Sequence, residues 1–365
     1  MLSIAFTGGG TGGHIYPGLA LVSHLQKFFP CRVFWIGSNT GMDRAIVENA
    51  GVEFFGVPAG KLRRYFSFRN ISDLFKVIAG FFAARRILKR EKVRLLFSKG
   101  GFVSVPPCIA AKSLKIPVFT HESDFSPGLA TKINARFAEK IFIPYNESVA
   151  FFPAKLKEKL VVSGNPIRSE FSAADPMEGR RFLGIGSEER ILLVLGGSLG
   201  SKEINDLVRA SLPELTKVYT VVHQTGETDA APPENSERYK PYAYFRDEIP
   251  HIIAASELVL CRSGAGTIWE CKSLNKPMIH IPLRGSGTRG DQVENAKLFE
   301  KAGVAIMFIP DPDEALAAAK LGVLVCSLAL DPHKRKAMGE AKIASFNAVE
   351  LIGNEIERRL RSGNG

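Results

Sequence analysis

The chain has 365 residues, 45% hydrophobic and 23% charged, with 48 Lys and Arg against 37 Asp and Glu for a formal net charge of +11. At about 100–200 residues per domain the length suggests two or three domains, and the ordinary apolar share excludes intrinsic disorder and collagen-like repeats. Five scattered cysteines with no CxxC pair argue against a disulfide scaffold and a zinc site, and the odd count favours reduced thiols in a cytosolic protein.

The amino-terminal MLSIAFTGGG lacks the basic n-region and long apolar core of a signal peptide. The longest apolar run, Ala315 to Leu330, carries Lys320 and is shorter than the roughly 18 residues a membrane span needs. A soluble protein is expected. Its charge is unevenly placed: residues 1–163 hold 23 basic and 10 acidic side chains, whereas residues 164–365 hold 25 and 27. The whole excess lies in the first half, and Lys61 to Arg94 alone contains eleven basic and two acidic residues. So lopsided a field implies an anionic partner on one domain, nucleic acid or an anionic membrane surface.

In chain order, strand-like apolar runs alternate with helical stretches, the pattern of an α/β protein. Leu2 to Phe6 reads as a buried strand, followed by a glycine loop and a helix opened by Pro17, which needs no N–H in the first turn. Within Lys61 to Arg94, Ile71, Leu74, Phe75, Ile78 and Phe82 keep the three- to four-residue spacing of one helix face, and Arg85, Arg86, Lys89 and Arg90 follow. Such a face packs into a core or meets a membrane. The cationic surplus together with Tyr65, Phe66 and Phe68 favours the membrane, with Phe75, Phe82, Arg85 and Arg86 as further contacts. No RNA-binding signature accompanies them, and no nucleic-acid partner is expected.

Arg32 to Ile36, Leu95 to Phe97 and Val118 to Thr120 read as the next strands, and Ser163-Gly164-Asn165-Pro166 as a hinge. The second half then starts afresh. Ile191 to Leu195 runs into Gly196-Gly197-Ser198-Leu199-Gly200 and a helix from Lys202, with later strands at Val218 to His223, Leu258 to Cys261 and Pro277 to Pro282. A strand–glycine loop–helix opening that recurs after about 190 residues suggests two Rossmann-like domains, 1–163 and 164–344. A helix within residues 345–365 is expected to pack back toward the first.

Four segments carry candidate chemistry. Gly8, Gly10 and Gly13 satisfy GxGxxG between a strand and a helix, so the loop either cradles phosphate on bare N–H groups or simply packs tightly. The second strand ends in Gly37-Ser38-Asn39 without a ribose-binding acid, which argues against NAD. His14 follows the loop at the carboxyl edge of the sheet, as general base or as a helix cap. His121-Glu122-Ser123-Asp124 ends another strand with two acids, although Asp124 can also cap a helix. In Arg262 to Glu270 (RSGAGTIWE) small residues leave room for phosphate at a helix start, yet Thr267 and Glu270 fit a T-x-x-E capping box. Asp311-Pro312-Asp313 matches a metal-holding D-x-D but is better read as a helix start. No metal is indicated.

Taken together these segments resemble one family. Gly8 to Ala20 (GGGTGGHIYPGLA) is similar to the amino-terminal signature of the membrane-associated N-acetylglucosaminyltransferases that convert lipid I to lipid II in peptidoglycan synthesis. Lys99 to Ser104 (KGGFVS), His121-Glu122, Gly164 to Arg168 (GNPIR), Gly196-Gly197-Ser198, Arg262-Ser263-Gly264 with Glu270, and Asp291 to Ala296 (DQVENA) follow in the family's order over about 290 residues.

The resemblance implies a GT-B fold, two Rossmann-like domains with the active site in the cleft between them, working without cofactor or metal. UDP-GlcNAc would sit mainly on the second domain. Thr11, Gly12, Gly13, Asp124, Arg168, Ser198 and the helix start at Ala265, Gly266 and Thr267 would meet the donor, with Glu270 on the ribose and Gln292 on the GlcNAc hydroxyls. The backbone around Phe245 and Arg246 would meet the uracil. Undecaprenyl-linked lipid I would enter along the first domain, at the cytoplasmic face of the membrane. The implied reaction is an inverting transfer to the C4 hydroxyl of lipid I, with His14, Glu122 or Asp124 removing its proton and domain closure about residues 163–166 excluding water.

The chain departs from the family pattern at Asp124 (usually Asn), Leu199 (Gln), Asp291 (His or Gln) and Phe102 (Tyr). The added carboxylate at 124 is placed to serve or assist the base. Alternatives sharing the donor loops are a diacylglycerol glycosyltransferase, a UDP-GlcNAc 2-epimerase, and a noncatalytic nucleotide-sugar sensor at the membrane.

Overall fold

The computed structural model describes residues 2–60, 69–197, 200–226, 237–285, 288–343 and 347–362, the side chains of 69–72 excepted. It divides into two compact units, Met1–Arg168 with Ala344–Gly365, and Ser169–Ile343.

The first unit carries β1 (Leu2–Thr7), α1 (Tyr16–Phe28), β2 (Cys31–Ser38), α2 (Asp43–Asn49), β3 (Glu53–Val57), α3 (Arg69–Arg90), β4 (Leu95–Ser98), α4 (Val105–Ser113), β5 (Val118–His121), α5 (Leu129–Phe137), β6 (Lys140–Ile143) and β7 (Leu160–Val162). Its seven strands run parallel in the order β3-β2-β1-β4-β5-β6-β7. Both sheet faces are covered, so the strands are near-continuous apolar runs. On one face Phe6, Trp35, Phe97 and Phe142 pack with Leu19, Leu21 and Leu25 of α1; on the other Phe34, Ile36, Leu96 and Ile141 pack with Ala84 and Leu88 of α3.

The second unit repeats the plan with α6 (Pro176–Leu183), β8 (Ile191–Leu195), α7 (Lys202–Leu215), β9 (Thr220–Gln224), β10 (Tyr239–Tyr242), α8 (Ile249–Ala255), β11 (Leu258–Cys261), α9 (Ala265–Ser273), β12 (Met278–His280), α10 (Asp291–Lys301), β13 (Ala305–Met307), α11 (Glu314–Leu330) and α12 (Pro332–Glu340). Its sheet order, β10-β9-β8-β11-β12-β13, matches the first six strands of the first unit. The last helix, α13 (Ala348–Ser362), belongs to the first unit, where Ile352, Ile356 and Leu360 join the core beside α1.

Two sequence expectations need correction. The segment Ser163–Pro166 is no loose hinge. It is buried, and the units divide later, between Arg168 and Ser169. The capping box at Thr267 and Glu270 does not form, because α9 starts at Ala265 with Gly264 as its N-cap and no side-chain cap bond. The face of α3 carrying 74, 75, 78 and 82 does not pack inward. Leu74, Phe75, Ile78 and Phe82 are exposed, while Gly80, Ala84 and Leu88 are buried. Tyr65, Phe66 and Phe68 lie outside the described residues, as do Ser198 and Leu199.

Asp313 caps α11, accepting from the Leu316 amide at 2.9 Å, and Asp311 pairs with Lys320 at 2.7 Å, so this segment is used as a helix start. Among the described residues no single helix is long and apolar enough to cross a membrane; α11 and α12 reach that length only jointly, across a 90° bend.

Gly18, near the start of α1, offers a test of the packing. A Cβ there would stand 2.5 Å from the Trp35 ring, whose indole N–H donates to the Gly8 carbonyl at 3.0 Å. Gly→Ala inside a helix ordinarily stabilises by about 1 kcal/mol. Here Gly18→Ala is expected to lower stability by about 1–3 kcal/mol through overpacking, as read by urea denaturation.

Candidate active site

In a sheet of this order the strands on either side of the switch point send their connections to opposite faces, leaving a crevice at their carboxyl ends. β1 and β4 flank that point in the first unit. β1 opens into the glycine loop, yet most of the loop is turned toward protein. A Cβ on Gly8 would lie 2.6 Å from the His14 carbonyl, and one on Gly9 would lie 1.9 Å from the Asp43 carboxylate. Asp43, only 1% exposed, accepts from the Gly10 amide at 2.9 Å and from the Ser38 amide at 3.1 Å, tying the end of β2 to the loop. Tight packing is therefore the role of Gly8 and Gly9. From Gly10 the loop turns outward: Gly10, Thr11 and Gly13 are exposed, and a Cβ on Gly13 would meet nothing nearer than the Thr11 hydroxyl at 3.9 Å. A cavity of about 320 Å³ adjoins Gly10, Asp43, Asp73 and Phe102.

His14 closes this turn, half-buried. Its Nδ1 lies 3.3 Å from the Lys99 carbonyl. A carbonyl only accepts, so Nδ1 carries the proton and Nε2 is the basic nitrogen of the neutral ring. Gly100 and Gly101, at φ +83° and +75°, let the chain after β4 pass close by; a Cβ on Gly101 would sit 3.0 Å from the His14 ring.

The strand-end acids differ from one another. Glu122 is 3% exposed and its two oxygens accept from the amides of Ser123, Asp124 and Gly128 at 2.9, 3.2 and 3.0 Å. It builds the turn. Asp124 is half-buried on the same turn, and it caps no helix: the N-cap of α5 is Gly128. His121 is fully buried and donates Nε2–H to the Gly164 carbonyl at 3.0 Å. Burial, with Lys99 next to it, holds its pKa well below the usual imidazole range, so it stays neutral. Arg168 lies over the Tyr16 ring at 4.9 Å, beside the first turn of α1.

The second unit has its own switch point, between β8 and β11. Arg262 follows β11 and bonds the Ile281 carbonyl at 3.1 Å, the Ser201 hydroxyl at 2.6 Å and Glu203 at 2.8 Å, fixing the start of α7. A Cβ on Gly264 or Gly266 would meet nothing within 4 Å, so the N-terminus of α9 stands open, with Ala265 buried and Thr267 and Glu270 half-buried beside it. Asn295 Nδ2 donates to the Ser263 carbonyl at 3.0 Å, while Gln292 accepts from the Leu283 amide at 2.9 Å. Gln224 bridges the Gly197 carbonyl and the Phe245 amide, each at 3.1 Å, and Glu248 accepts from the Arg246 amide at 3.0 Å. Both amides of the 245–246 backbone are thus engaged with side chains.

Sequence reasoning missed Asp43, Lys99 and Gln224 as organisers. Each is an ordinary residue near a strand end, and Lys99 was visible only as part of KGGFVS.

Residues 4–143 match the glycosyltransferase family 28 N-terminal domain and residues 191–351 the glycosyltransferase family 28 C-terminal domain. The UDP-N-acetylglucosamine--N-acetylmuramyl-(pentapeptide) pyrophosphoryl-undecaprenol N-acetylglucosamine transferase of Treponema denticola is 49% identical over 325 residues, 84% of this chain and 83% of that protein. The transferase of the same name from Shouchella clausii is 43% identical over 364 residues, 99% of this chain and 100% of its own. The crystal structure of Acinetobacter baumannii MurG superposes with a TM-score of 0.71 at 23% identity, covering 98% of this chain and 100% of that one. A UDP-GlcNAc 2-epimerase from Neisseria meningitidis shares the fold, with a TM-score of 0.68 at 14% identity over 98% and 100% of the two chains.

Paired Rossmann-like domains, each with a glycine-lined crevice at its switch point, define the GT-B fold, and the two matched domains make the chain a glycosyltransferase. The chain belongs to glycosyltransferase family 28 and, within it, to the family of the N-acetylglucosamine transferases just described.

Asp43 is the organiser whose removal is most readable. Asp43→Ala leaves the Gly10 and Ser38 amides without an acceptor, each costing about 1–3 kcal/mol. A stability loss of at least about 2 kcal/mol by denaturant titration and a lower kcat are expected. Asp43→Asn, which keeps one acceptor oxygen, should fall between.

Proposed function

We propose that the chain transfers GlcNAc from UDP-GlcNAc to the C4 hydroxyl of undecaprenyl-linked lipid I, giving lipid II. The acceptor oxygen attacks the anomeric carbon from the face opposite the leaving group, the C1–O bond to UDP breaks, and the configuration inverts. The observation that carries this reading is the tautomer of His14: with Nδ1–H directed at the Lys99 carbonyl, Nε2 is the nitrogen able to take the acceptor's proton. Asp124 assists, whereas Glu122 acts through the turn it organises, its oxygens holding three backbone amides.

In the second domain the open N-terminus of α9 suits the UDP diphosphate, worth about 0.3–2 kcal/mol per charge. Glu270 is assigned to the ribose, Gln292 to the GlcNAc hydroxyls, Ser198 to the diphosphate and nearby donor groups, and the carbonyls of Phe245 and Arg246 to the uracil, since their amides are engaged. In the first domain Thr11 to Gly13 and Arg168 serve substrate phosphates. Negative charge gathering on UDP is stabilised by such preset donors.

The enzyme acts as a peripheral protein at the cytoplasmic membrane face. Support comes from α3, whose Phe75 and Phe82 are 68% and 64% exposed, with Leu74 and Ile78 near them and Arg85 and Arg86 following. An exposed apolar face followed by cations suits the interface of an anionic membrane.

Two experiments test these assignments. Purified protein given UDP-GlcNAc and a lipid I analogue should release UDP and form the disaccharide, and His14→Ala should lower kcat about 10²–10⁴-fold. Binding of UDP-GlcNAc with no UDP release and no change in the sugar would leave only a sensor, and conversion of UDP-GlcNAc to UDP-N-acetylmannosamine would mark an epimerase. Flotation with anionic vesicles should capture the wild type. Phe75→Ser with Phe82→Ser removes about 1.5 kcal/mol of burial each and should weaken capture about 100-fold.

A further inference from the structure

Lys99 is the one lysine in the first domain's described residues with a side chain wholly withdrawn from solvent, at 1% exposure. Burying an ammonium is costly unless it is paired and hydrogen-bonded. Its Nζ donates to His121 Nδ1 at 2.9 Å and to the Ser123 hydroxyl at 2.5 Å. The Ser123 hydroxyl in turn donates to Asn165 Oδ1 at 2.9 Å, and His121 Nε2–H donates to the Gly164 carbonyl. The contacts run outward from Nζ in one direction, donor to acceptor at every step, which leaves His121 with its proton on Nε2.

The same residue faces the reaction side with its main chain. Its amide donates to Thr7 at the end of β1 at 2.7 Å, and its carbonyl receives His14 Nδ1. One residue therefore joins β1, the His14 turn, the 121–124 turn and the buried 164–165 segment. Nothing in the packing calls for a cation there, since a methionine would fill the same channel between Gly8 and Gly18, whose Cβ positions lie 3.0 and 3.8 Å from the Lys99 stem.

We propose that Lys99 is a positioning residue for the transfer: its ammonium holds the turn that presents Asp124, and its carbonyl sets which nitrogen of His14 is basic. The carboxylates of Glu122 and Asp124 are the negative charges that act on the ammonium, His121 is neutral against it, and desolvation brings its pKa down to about 8. The attraction between the ammonium and the carboxylates of Glu122 and Asp124 acts on both partners of each pair.

This inference rests on the proposed transfer activity, and the two fail separately: an inactive wild type sinks the activity, whereas the comparison below is made on active enzyme. Lys99→Met keeps the carbonyl and the stem and removes the ammonium with its bonds to His121 and Ser123. Expected are a fall in kcat of at least tenfold, a KM for UDP-GlcNAc within twofold of wild type, and an acid limb of the kcat–pH profile displaced to higher pH, because Asp124 and its surroundings lose a cation. A structural role alone would lower yield or thermal stability and leave that limb in place. Unchanged kcat, or a reduced kcat with an unmoved acid limb, overturns the proposal. Should Met or Gln at 99 prevent folding, ¹⁵N NMR of the wild-type His14 ring decides: an Nδ1–H tautomer is required, and an Nε2–H tautomer overturns it.

Discussion

In each domain the first and fourth strands of a parallel sheet lie side by side while their connections leave toward opposite faces. This is a consequence of right-handed crossovers, and it cannot be avoided once the strand order reverses. The His14 turn and the start of α9 sit at the gaps so produced, while the 121–124 turn, Phe245–Arg246 and Gln292 follow the neighbouring strands β5, β10 and β12. In the first domain that gap receives the His14 turn from β1 and the Gly100–Gly101 passage from β4. In the second it receives Gly196–Gly197 from β8 and the open start of α9 beyond β11.

The two gaps are finished differently. The second domain presents an open N-terminus with bare glycines, a surface suited to an anion that must bind and leave. The first is closed by buried polar contacts: Asp43 to two amides, Glu122 to three, and Lys99 to a neutral histidine and a serine. Such groups are costly when unpaired, and once paired they admit few alternative arrangements. That rigidity suits an acid–base site, where an error of about an ångström in a proton acceptor is felt in the rate.

Helix α3 shows how one element can serve two surfaces. Gly80, Ala84 and Leu88 pack toward the sheet, while Leu74, Phe75, Ile78 and Phe82 face out. A pattern apolar on both sides ordinarily marks a helix buried all round. Here one side has no protein cover among the described residues, which separates the core function of the helix from its outward one.

Much of this was legible without coordinates. Buried parallel strands announce themselves as apolar runs, so β1, β8 and β11 were read nearly to the residue, and the repeated strand–glycine opening disclosed two similar domains. Shorter edge strands such as β7 and β13 escaped, because three residues are too few to carry a period. His14 and the 121–124 turn were visible as polar residues at strand ends. The sequence by itself determined the class of fold, the family and the strand-end positions where chemistry is placed, because local periodicity and motif order depend only on neighbours along the chain. Only the tertiary structure decided that Gly8 and Gly9 pack against protein, that α9 begins before Thr267, that Glu122 organises its turn, and that Lys99 reaches His14 and Ser123 at once. The Lys99 contacts cross 24 and 85 residues of chain, and no local pattern encodes a hydrogen bond between segments that only the folded sheet brings together.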